Sequence, residues 1–141
     1  MKRLWFIIVL PMVFLTCLAL EARPKRTLIV VNRPTVVAFC PHVSDAEMSK
    51  DPDTNEALSD FQLYARGARE KLRKAGVDFE ELYVDSFEVK CEGKITVFRP
   101  GKIKIGYYFI APCKPPRIQY GVMTDDDILQ TATEYFHLAS K

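Results

Sequence analysis

Glycine (6) and proline (9) are near ordinary usage in these 141 residues, which excludes collagen-like and low-complexity chains. Histidine is scarce: His42 and His137 are the only two. No G-x-S-x-G, H-E-x-x-H or glycine-rich phosphate loop occurs, so the common nucleophile, zinc-hydrolase and nucleotide-cradle motifs are missing. Charge of one sign is also lacking. With 20 Lys+Arg against 18 Asp+Glu, the chain has no basic surface excess of the kind a nucleic-acid binder uses. What is present is apolar content, 48% of the chain, much of it gathered between Leu4 and Leu20. Without that stretch roughly 120 residues remain, enough for one domain and too few for two.

Met1 to Ala22 reads as a secretory signal peptide. Lys2 and Arg3 form a charged start, Leu4–Leu20 an apolar run broken by Pro11 and Thr16, and Cys17-Leu18-Ala19 a small-residue cleavage site, with Leu20-Glu21-Ala22 a poorer one. Two other readings stand beside it. The run of 17 residues is at the short limit for an uncleaved membrane anchor, and the basic residues on both flanks blur its orientation. Cys17 would be the lipidated residue of a lipoprotein, with the bulky Thr16 against it. Each reading puts the domain outside the cytoplasm, periplasmic or secreted, and a membrane association follows only if the segment stays uncleaved. Cleavage after Ala19 removes two of the 20 basic side chains and leaves 18 of each sign, so charge selects no partner.

Beyond the signal, Thr27–Val31 and Thr35–Cys40 are β-branched runs. The second is apolar on both parities, as a central strand covered on both sides requires. Ser44-x-x-Glu47 is a capping box for one short helical turn, and Asp51-Pro52 caps a longer helix. Ala57, Phe61, Ala65, Ala68, Leu72 and Ala75 form that helix's buried face and Gly76 its stop. Arg66, Arg69, Glu70, Arg73 and Lys74 lie opposite, a solvated face with i,i+4 pairs. Val77–Val84 is expected as a strand parallel to Thr35–Cys40, because a long helix joins them. Phe87–Cys91 and Ile95–Phe98 alternate around Glu92-Gly93-Lys94 as a hairpin. Ile103–Ala111 follows with Ile103, Ile105, Tyr107 and Phe109 on one face, then Arg117–Val122 with Ile118, Tyr120 and Val122 inward. Thr124 caps the last helix. Asp125, Asp126 and Asp127 fill its first turn, where the helix dipole accounts for them better than a cation does, since consecutive helical positions fan apart.

This order of elements, from Thr27 to Leu138, resembles a thioredoxin-like domain. Pro34–His42 resembles the strand that enters the redox motif, and Cys40-Pro41-His42-Val43 looks like the C-P-H-C of periplasmic disulfide oxidoreductases with its second cysteine replaced. Gly106–Phe136 resembles the closing hairpin and helix. The resemblance implies an α/β (α+β), three-layer thioredoxin-like domain over residues 27–139, with a central mixed sheet and an extra β-hairpin at Phe87–Phe98. It implies candidate site residues Cys40 and His42. The departures bear on function: Val43 excludes dithiol exchange within the motif, and Lys102–Ile105 offers no proline where the family has a cis-proline.

Cysteine arithmetic after signal removal leaves Cys40, Cys91 and Cys113, one pair and one leftover thiol in an oxidising compartment. Cys91 and Cys113, at or beside turns, are the plausible disulfide by accessibility, and nothing in the sequence decides the connectivity. Cys40 reads chiefly as a small buried hydrophobe, with a disulfide partner and a reactive monothiol as alternatives. Cys40-x-His42 lacks the usual zinc-ligand spacing, so no metal site is assigned. Tyr107, Tyr108 and Tyr120 read as core and sheet face. The expected function is a redox-inactive module binding a protein or peptide, with no cofactor, no nucleic acid and no assigned catalytic residue; a monothiol redox protein using Cys40 is the alternative.

Overall fold

The computed structural model describes residues 27–100 and 105–139, so Met1–Ala22, expected as a signal segment, and Ile103 lie outside the described residues. Strands β1 (Thr27–Val31) and β2 (Thr35–Cys40) come first, then a single-turn helix α1 (Asp45–Met48) and the long α2 (Pro52–Lys74). β3 (Asp78–Tyr83), β4 (Phe87–Cys91), β5 (Lys94–Phe98), β6 (Gly106–Ile110) and β7 (Arg117–Tyr120) precede α3 (Asp125–Phe136). None of the described helices is long and apolar enough to cross a membrane.

The strands form two sheets. One has the order β3-β2-β6-β7, the other β1-β4-β5. β2 pairs parallel with β3 and antiparallel with β6, so it is the interior strand that its apolar residues on both parities predict. The parallel β2–β3 pair is joined by α2, as expected of a crossover. The expectation of one central sheet carrying an added hairpin is corrected here. The β4–β5 hairpin does form, but it leaves the first sheet and takes β1 as a parallel partner. Its turn is Glu92-Gly93, both at positive φ (51° and 77°), the two-residue geometry that matches strand twist.

The two parities of β2 feed two cores. Val36, Ala38 and Cys40 meet Phe61, Ala68 and Leu72 of α2, Tyr107 and Phe109 of β6, and Ile128 and Ala132 of α3. Val37 and Phe39 meet Ile29, Val31, Phe87, Val89 and Phe98 of the second sheet, with Tyr108 and Ile110. The layers are therefore helices, four-stranded sheet, three-stranded sheet. Gly106 allows the close packing beside β7: a Cβ there would sit 2.7 Å from the Gln119 carbonyl oxygen and 2.8 Å from the Phe39 ring.

One burial expectation fails. Ile118, Tyr120 and Val122 are not inward; they are 41%, 49% and 37% exposed. Among the described residues β7 is the outer edge of its sheet, paired with β6 alone, and these side chains stay largely uncovered. Alternation shows that one face is apolar but does not show whether another element lies over that face.

Candidate functional site

The site is the turn that leaves β2. Cys40 ends the strand in register with Tyr83 of β3 and is fully buried, packed in the core between β2, β6 and the helices. Its Sγ donates to the Pro41 carbonyl oxygen at 3.4 Å. Burial pushes the thiol up to about 11, because a thiolate loses its hydration there with no cation among the described residues to replace it. Helix proximity gives no help. α1 begins at Asp45 and is one turn long, whereas a thiol is activated when it sits at a helix start.

The following residues are held by the predicted caps. The Ser44 N–H and hydroxyl donate to Glu47 Oε2 at 3.0 and 2.7 Å, and the Glu47 N–H reaches Ser44 Oγ at 3.4 Å. Those bonds, led by the Ser44 hydroxyl, hold the Glu47 carboxyl below its ordinary range. Asp51 accepts from the N–H groups of Asp53 and Thr54 and from the Thr54 hydroxyl. The chain between Cys40 and Asp51 is thus pinned at both of its helix entries.

Two cavities flank this turn and share Pro41, Val43 and Thr54. The first, about 300 Å³, is lined by Cys40, Ala57, Leu58, Ile105, Gly121 and Val122 beside those three. Among the described residues Thr54 is its only polar side chain apart from the thiol. The second, about 330 Å³, adds His42, Glu47, Asp51 and Asp85. Cys40 and His42, two residues apart in the motif, therefore line different cavities, and among the described residues the lining of the first cavity includes neither a cation nor a general base. The geometry suits holding an apolar side chain or an extended segment, not activating a nucleophile.

Sequence reasoning found Cys40, Pro41, His42 and Val43 but missed the far wall. Gly121 and Val122 reach the site because the Gly121 N–H donates to the Ile105 carbonyl oxygen at 2.8 Å, a bond across the β6–β7 pair. The signal for it was Gly121 itself, at φ 98°, a glycine ending a strand.

The remaining candidates are dispersed. Cys91 and Cys113 are free thiols like Cys40, and both line a separate depression of about 520 Å³ between the two sheets. Among the described residues no group of three His, Cys, Asp or Glu is placed to hold a metal ion. Asp125 and Asp126 pair with Lys71 of α2 at 2.8 and 2.5 Å, and Asp127 accepts from the Thr124 hydroxyl at 2.7 Å. Arg69 is likewise engaged, with Glu81 at 2.8 Å. Tyr107 and Tyr108 are core residues; Tyr108 packs edge-on against Phe98 at 4.4 Å between ring centroids. No protein-family model, curated protein or solved structure matches this chain.

Proposed function

We propose that this chain is an exported thioredoxin-like module, redox-inactive at its motif, that binds a protein or peptide in the cleft beside the Cys40–Val43 turn. The observation that carries the reading is the pairing of a fully buried, unactivated Cys40 with an open apolar cavity at the same turn. The order β3-β2-β6-β7, with β3 parallel to β2 and β6 antiparallel to it, supports the fold assignment. So do the helices α2 and α3 packed on one face. A peptide would rest its side chains against Ile105, Leu58 and Val122, while the exposed β7 edge offers backbone groups alongside.

A second reading, a monothiol redox protein, is favoured by one fact: Cys40, though buried, is among the residues that line the cavity. Thiol alkylation of the folded chain at neutral pH separates the two. The inert reading expects Cys40 to label slowly until the chain is denatured; rapid labelling of the folded chain that disappears in Cys40→Ser would overturn it. Binding is tested with a displayed peptide library. Val122→Asp, at the exposed rim of the cleft, is expected to abolish capture of apolar extended peptides, and capture unaffected by that change removes the cleft from the reading.

A further inference from the structure

The second cysteine pair has a structural logic that the cleft does not use. β4 and β6 face each other across the two sheets and advance in step. Tyr108 lies over Phe87, with ring centroids 5.5 Å apart. Two residues on along each strand, Ile110 and Val89 share one core and one depression. The next step brings the chain after β6 to the end of β4, where Cys91 stands. Contact is made there: Cys113 Sγ donates to Glu92 Oε1 at 2.9 Å, and Glu92 is the residue after Cys91. Cys91 and Cys113 line the same depression. Cys113 also holds a left-handed backbone, φ 59°, a conformation that disfavours side chains other than those of Asn and Asp.

We propose that Cys91 and Cys113 form a disulfide that clamps the three-stranded sheet to the β6–β7 connection of the four-stranded sheet. The co-reactant is a disulfide of the glutathione class. The exposed Cys113, as thiolate, attacks it and releases one thiol, leaving a mixed disulfide. Cys91 then attacks the Cys113 sulfur and releases the second thiol. Two protons leave the protein and two electrons reduce the co-reactant, so one S–S bond forms and one is consumed. The Glu92 carboxylate accepts the Cys113 S–H bond, and that bond together with its negative charge holds the Cys113 thiol above its ordinary range, so the attack quickens as pH rises. Occurrence of the bond in the cell rests on the export reading, since a reducing cytosol would oppose it. Its formation in vitro does not, and it is independent of the cleft.

The test is to hold the folded full chain in oxidised glutathione, block remaining thiols, and digest with trypsin without reductant. The expected product is peptide 91–94 joined to peptide 105–117, lighter by two hydrogens than their sum and separated by dithiothreitol. Recovery of both peptides with free or glutathione-capped thiols would overturn the proposal. So would either peptide joined instead to the one bearing Cys40 or Cys17.

Discussion

Cys40 shows how one side chain's surroundings outweigh its motif. In the same tetrapeptide, a thiol at a helix start would ionise near neutral pH; here the thiol ends a buried strand and is pushed up to about 11. Its protonation links stability to pH. An unfolded thiol titrates near 8.5–9, so between that value and about 11 the unfolded chain has lost a proton that the folded chain keeps. Stability from this group is therefore complete below the lower value and falls as pH rises through the window. Urea unfolding midpoints should decline between about pH 9 and 11, and the decline should be shallower in Cys40→Ala. Gly106 gives a second residue-scale expectation. Because a Cβ would meet the Gln119 carbonyl oxygen at 2.7 Å and the Phe39 ring at 2.8 Å, Gly106→Ala should destabilise by about 1–3 kcal/mol in urea titrations. A neutral or stabilising result would mean that β7 shifts freely.

Among the elements, the helices are set by their caps and the strands by their partners. Thr124 accepts the Asp127 N–H at 3.2 Å and begins α3. Thr124→Ala should cost about 1 kcal/mol by chemical denaturation and leave the α2 and β-sheet signals in place. The triplet of aspartates after it then has two roles that need no cation: it complements the helix dipole and it ties α3 to Lys71. β7 is the opposite case. Its residues Ile118 and Tyr120 alternate as an inward face would, yet no element among the described residues covers them.

For the whole molecule, β2 is the shared wall of both cores, with all of its residues buried. Truncation in either core should therefore act on a single transition. Phe61→Ala, in the helix layer, and Phe87→Ala, in the second sheet, are each fully buried changes expected to cost about 3–5 kcal/mol. Far-UV and near-UV circular dichroism should lose signal together in both variants; separate transitions would show that the three-stranded sheet folds independently. The Cys91–Cys113 bond would close a loop of about 20 residues, and its reduction should lower the thermal midpoint by roughly 10–20 °C.

Local patterns determined much of this by themselves. The capping box at Ser44, the N-cap at Asp51, the α2 stripe through Phe61 and Leu72, the Glu92-Gly93 hairpin and the two-sided burial of β2 are all short-range consequences of side-chain spacing, and each formed where the sequence places it. Other features depend on contacts between distant segments. These are the transfer of the hairpin into a second sheet with β1, the exposure of β7, the closing of the cleft by Gly121 and Val122, and the approach of Cys113 to Glu92. Periodicity states that a face is apolar; only packing states what covers it. That is why the scarcity of histidine, the lack of glycine loops and the balance of charge could exclude chemistries, while the position of Cys40, buried beside an open cavity and apart from His42, had to come from the fold.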